Sequence, residues 1–125
     1  MCHQSVSLIA RHLEAAGIPT VIMGCARDIV EHAGVPRFFW SDFPLGHSAG
    51  KPHDEVSQYA TVSQALRLFD TVQVAKTTHI SEQTWATDDH WKADFMSVAH
   101  LDEATIAKMQ RNHERDRATL AKLKN

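Results

Sequence analysis

Apolar residues along the first forty positions switch repeatedly between two spacings. Val6, Ile9, Ala10, Leu13 and Ala16 recur every three or four residues, the period of one helix face, and Gly17 is placed to end that helix. Ile18-Pro19-Thr20-Val21-Ile22-Met23 follows as a continuous, β-branched apolar run of strand length. Such a run predicts a strand buried on both faces, and proline fits its first turn of chain without breaking a ladder. After Gly24, Ala26, Ile29, Val30 and Ala33 restore helical spacing; Asp28 suits the first turn, Gly34 the stop, and Pro36 blocks continuation. Arg37 to Ser41, around Phe38-Phe39-Trp40, predicts the next strand.

Helix, strand, helix, strand in this order predicts an α/β fold: a small open parallel sheet with flanking helices, like half of a flavodoxin-type domain. Asp42 to Pro52 is a loop punctuated by Pro44, Gly46, Gly50 and Pro52. A helix follows from about Asp54 to Phe69, with apolar positions at Val56, Tyr59, Ala60, Val62, Leu66 and Phe69. Gln73 to Ala99 has no regular period, and its Trp85 and Trp91 are of the kind that anchors an extended segment on a core. Asp102 is placed to cap a long helix from Glu103 to Leu123, whose apolar residues Ile106, Met109, Leu120 and Leu123 are too sparse for burial. The expected organisation is therefore an α/β domain over 1–76, an irregular tryptophan-containing extension over 77–100, and a C-terminal helix over 101–125.

Composition narrows the function classes. The 125 residues include 43% apolar side chains, enough for one modest core, and 13 basic against 15 acidic residues give a net charge of −2. No basic cluster of the kind that attracts nucleic acid or anionic membranes is present. No apolar stretch approaches the roughly 20 residues of a bilayer span, and the start lacks the basic-then-apolar order of a signal peptide, so a cytoplasmic protein is expected. Nine histidines invite a metal reading, but none of their spacings matches a compact metal site, and no metal is expected.

Candidate chemistry concentrates where strands end. In an open parallel sheet, ligands bind beyond the carboxyl ends of the strands, and the loops after Met23 and Ser41 fall on that edge. Cys2 opens the first helix, where unpaired N–H groups and the helix dipole favour a thiolate. His3 carries an imidazole, a ring type whose reference pKa of about 6.5 lies near neutrality, and suits proton transfer or support of that thiolate. Cys2 and His3 are the candidate catalytic pair. Arg37 and Lys51 are candidates for a substrate carboxylate, Gly46 for close backbone approach, and His47 for the loop wall. Cys25, just after a strand, reads either as a second redox thiol or as a small buried residue.

Cys2-His3-Gln4-Ser5-Val6, Ala26-Arg27-Asp28-Ile29, Pro36-Arg37, Phe43-Pro44-Leu45-Gly46 and Gly50-Lys51-Pro52 appear in this order. Together they resemble selenoprotein B of the glycine, sarcosine, betaine and D-proline reductase family, most closely its short D-proline-reductase-like members. The likeness is good over residues 2 to 70 and says little about the last helix. It implies reductive cleavage of a carbon–nitrogen bond in a small amino acid derivative, with Cys2 resolving a selenium adduct. It also implies other reductase subunits and a thioredoxin-like electron donor as partners, and no cofactor within the chain itself. In that family a selenocysteine stands three residues before the cysteine, which here falls upstream of Met1. Reading its UGA codon as stop would restart the chain at Met1, so an in-frame UGA preceded by apolar, strand-like codons is expected in the DNA. A core without that leading strand would expose apolar surface, and homo-oligomerisation is expected to cover it. Two other readings fit the residues: an interaction domain whose terminal helix binds a partner, and a simple thiol-redox protein using Cys2.

Overall fold

The computed structural model describes residues 2–94 and 101–123; Met1 and the end of the irregular segment, 95–100, lie outside them. The chain divides into two compact units, Met1–Thr87 and Asp88–Asn125. The first holds α1 (Cys2–Ala15), β1 (Ile22–Gly24), α2 (Arg27–Ala33), β2 (Arg37–Trp40), α3 (Glu55–Thr71) and β3 (Thr77–Ile80). This is the α/β arrangement that the alternating pattern predicts.

Helix ends obey local chemistry. Gly17 takes a left-handed φ of 81°, and the Gly17 and Ile18 N–H groups bond back to the carbonyls of Glu14 and Leu13, both at 3.0 Å. That pair of bonds closes α1 as a Schellman motif. Gly34 closes α2 in the same left-handed region. Asp54 caps α3 by accepting the Ser57 N–H at 2.9 Å.

The three strands are parallel, in the order β1-β2-β3. Ile22 lies opposite Phe38 and Met23 opposite Phe39, so the pleat sends these pairs to different faces. On one face Ile22 and Phe38 meet Ala10 of α1 and Val30 of α2, with Val35. On the other, Phe39 meets Ala65 and Leu68 of α3, flanked by Val21, Met23 and Val72. Phe38 and Phe39 are 1% and 0% exposed, each worth about 1.5–3 kcal/mol on burial. Strand order advances in one direction while α2 and α3 cover opposite faces, so the two crossovers have opposite hands. One of them runs against the usual right-handed preference of parallel units.

Two elements differ from their expectation. β1 starts at Ile22 rather than Ile18, because the Thr20 N–H and hydroxyl both bond Glu14 Oε1 instead of a neighbouring strand. β3 arises within the segment that reads as irregular. Its Thr77 and Thr78 are half-buried and His79 and Ile80 exposed; the segment is recruited by pairing with β2, with His79 stacked on Phe39 at 5.4 Å.

The second unit contains α4 (His90–Asp94) and α5 (Glu103–Leu123). Asp102 caps α5 by accepting the Thr105 N–H at 2.7 Å, the role its position predicts. Ile106 is half-buried and Met109 is 53% exposed. No helix among the described residues is long and apolar enough to cross a membrane.

Candidate functional site

Parallel pairing puts Gly24, Trp40 and Ile80 at one edge of the sheet. The start of α1 is bound to that edge by one side chain. His3 is 8% exposed, and its Nε2 accepts the N–H of Cys25 at 3.1 Å and that of Ala26 at 3.4 Å, in the turn leaving β1. Its Nδ1 lies 3.7 Å from Cys2 Sγ. Cys2 itself is exposed, so a reagent reaches a sulfur that is backed by a buried ring. Gly24 makes room for this arrangement: a Cβ there would stand 2.9 Å from His3 Cδ2. The Ser7 hydroxyl donates to the His3 carbonyl at 2.7 Å and steadies the first turn.

Cys25 faces the loop after β2. Its Sγ is 3.9 Å from Ser48 Oγ, and the backbones of His47 and Phe43 also hydrogen-bond it. These contacts favour a thiolate, but burial outweighs them and pushes the thiol above its ordinary value, with the Asp42 charge adding to the rise. Trp40 Nε1 donates to the Cys25 carbonyl at 2.9 Å. Ser41 Oγ, fully buried just past β2, has no hydrogen-bond partner among the described residues.

The loop is held from the far side by the segment after β3. Gln83 accepts from Ser57 Oγ at 2.6 Å and donates to Thr61 Oγ1 at 2.8 Å. Pinned there, the segment carries Trp85 onto Phe43, with ring centroids 5.4 Å apart, and onto His47, at 4.7 Å. His47 Nδ1 donates to the Pro44 carbonyl at 3.3 Å. Gly46 and Gly50 take left-handed φ values of 102° and 107°. At Gly50 a Cβ would also meet the Gln58 backbone at 2.7 Å. Lys51 is tied through its backbone, its N–H to Ser57 Oγ and its carbonyl to Gln58 Nε2.

The predicted residues thus separate. Cys2, His3 and His47 gather with Cys25 around the carboxyl edge, and Gly46 lies in the same loop. Lys51 sits further along, against the start of α3. Arg37 stands at the other end of β2, at the amino edge. There its Nη1 meets Glu14 Oε1 at 3.0 Å and the Thr20 carbonyl at 3.4 Å, and its guanidinium lies 5.7 Å from the Phe69 ring centroid. Gly24, Ser41, Ser48 and Trp85 were not singled out from the sequence as parts of a site. Only Gly24, directly after an apolar run, carried a readable signal. A separate groove of about 730 Å³ runs between α1 and α2, lined by Gln4, Leu8, Arg11, Ile29 and His32 among others; none of the candidate residues lines it. Among the described residues, no group of three or more His, Cys, Asp or Glu side chains is placed to hold a metal ion.

A parallel α/β unit with a thiol–histidine pair at the carboxyl edge is an arrangement suited to thiol chemistry. The chain is similar to the D-proline reductase subunit gamma of Acetoanaerobium sticklandii, at 33% identity over 66 residues. The match covers 53% of this chain and spans 27% of that protein. No family model matches the chain, and no solved structure matches it.

Proposed function

We propose that the chain is a redox subunit, or the corresponding part of one, in a reductase of the D-proline reductase type. The reaction class is reductive cleavage of a C–N bond in a small amino acid derivative. The observation that carries this reading is the exposed Cys2 sulfur set against a buried, doubly anchored histidine, in a chain similar to a reductase subunit.

If a selenol precedes Cys2, as it does in the family resembling this chain, it would supply the nucleophile that displaces the amino nitrogen, which would leave with the bonding electron pair and take a proton. Cys2 would then form a bond to selenium, and the substrate carbon would depart with the electron pair and be protonated. Two electrons would thus pass from the selenol and thiol to the C–N bond, and an external dithiol of the thioredoxin type would restore the pair. The loop from Phe43 to Ser48 walls the substrate at the sheet edge, with Gly46 and His47 as its contacts.

Other reductase subunits are the proposed partners. The outer face of α3 supports an interface: Val56 and Tyr59 are 80% and 78% exposed, and Leu66 is 54% exposed. The same face favours the second reading, a non-catalytic interaction domain. Replacing Cys2 by serine in the assembled reductase separates the two. The first reading expects dithiol-dependent consumption of D-proline to stop while assembly persists; undiminished turnover would leave only the interaction role.

A further inference from the structure

We infer that His3 is a positioning residue that holds Cys2 through one ring tautomer, and that the turn after β1 selects this tautomer. Backbone N–H groups only donate, and two of them, from Cys25 and Ala26, point at Nε2 at 3.1 and 3.4 Å. While both bonds are made, Nε2 carries no proton, so the proton of the neutral ring sits on Nδ1. Nδ1 is the atom 3.7 Å from Cys2 Sγ. The ring therefore offers the sulfur a donor and not an acceptor.

That donor gives the Cys2 sulfur one fixed hydrogen-bond partner and so sets the direction it faces. The opposite tautomer would present a lone pair to the sulfur and lose that donor. Ring rotation does not scramble the assignment, since His3 is 8% exposed and its Cδ2 lies close to Gly24. The β1–α2 turn thus sets which ring atom faces a sulfur at the start of α1. The inference deepens the proposed function and rests on its reading of Cys2 as the working thiol.

Two substitutions separate positioning from mere structural support. Glutamine at position 3 can place an amide oxygen near the Nε2 site, keeping the two backbone anchors, but loses the donor to Cys2. Asparagine can place an amide nitrogen near the Nδ1 site, keeping the donor but losing the anchors. In the full-length chain, the rate of Cys2 alkylation by iodoacetamide at neutral pH is read by peptide mass spectrometry. His3→Gln is expected to slow it about tenfold and His3→Asn to stay within about twofold of the parent. The reverse order, or equal rates, overturns the inference. Nitrogen NMR of the parent ring gives a second reading that needs no variant to fold: Nδ1 protonated and Nε2 bare is expected, and the opposite pattern overturns it. Absence of the His3→Gln effect alongside Cys2-dependent D-proline turnover refutes the His3 inference alone. The expected alkylation pattern with turnover insensitive to Cys2→Ser refutes the reductase reading alone.

Discussion

Replacing Gly24 by alanine tests whether the end of β1 and the His3 ring share one space. The new Cβ would stand 2.9 Å from His3 Cδ2, 3.1 Å from Nε2 and 3.2 Å from Phe38 Cε2, inside the ordinary carbon contact of about 3.5–4.0 Å. Phe38 is locked in the core, so the ring that gives way is His3. Overpacking of this kind costs about 1–3 kcal/mol, and displacing Nε2 removes the acceptor for two backbone N–H groups. A total near 2 kcal/mol follows. With a urea m-value of about 1 kcal/mol/M for a chain of this size, the unfolding midpoint falls by about 2 M. In a His3→Ala background only the 3.2 Å approach to Phe38 remains and the anchors are already lost, so Gly24→Ala should cost about 0.5 kcal/mol. The double-mutant cycle then reads a coupling of about 1.5 kcal/mol. Equal costs in the two backgrounds would show that Gly24 matters without reference to the ring, and that the two do not share one space.

At the opposite edge, Glu14 Oε1 accepts from the Thr20 N–H, the Thr20 hydroxyl and Arg37 Nη1. Glu14→Ala leaves a largely buried guanidinium unpaired and should lower stability in urea by about 2 kcal/mol without changing Cys2 alkylation. Cys25, whose thiol is pushed up by burial, should be alkylated after Cys2 at neutral pH. Its protonated form is favoured by folding, so the stability it contributes is present at neutral pH and is lost as pH rises from about 8.5, the unfolded value, through the folded one. Compared with Cys25→Ala, the parent should therefore lose more stability between pH 7.5 and 10, and parallel losses would count against this. Val56→Glu on the exposed face of α3 should change stability by less than about 0.5 kcal/mol yet weaken co-purification with partner subunits; loss of folding would contradict the exposed placement.

The sheet was legible in the sequence because its central strand and the helices beside it obey simple periods. Phe38 and Phe39 point to opposite faces and each finds its own cluster, which a continuous apolar run implies. Gly17, Gly34, Asp54 and Asp102 signal ends through local conformation or capping, and all four act there. β3 was hidden because an edge strand needs apolar contact on one side only, and Thr77–Ile80 draws its stability from pairing. At the site, the first helix is joined to the turn after β1 by hydrogen bonds between residues 22 and 23 positions apart. Periodicity contains nothing about such bonds. Arg37 read as an edge cation for a ligand because it begins a strand, but beginning a parallel strand puts it at the amino edge, where Glu14 engages it. The burial of Ser41 was invisible for a simpler reason: a small hydroxyl after an aromatic run has no pattern of its own.

The most direct test of the central claim is differential alkylation of Cys2 in the native complex during turnover. With D-proline supplied and the external dithiol withheld, Cys2 should pass from alkylatable to blocked within a single turnover, and addition of dithiol should restore it. Consumption of D-proline while Cys2 remains fully alkylatable throughout would contradict the account.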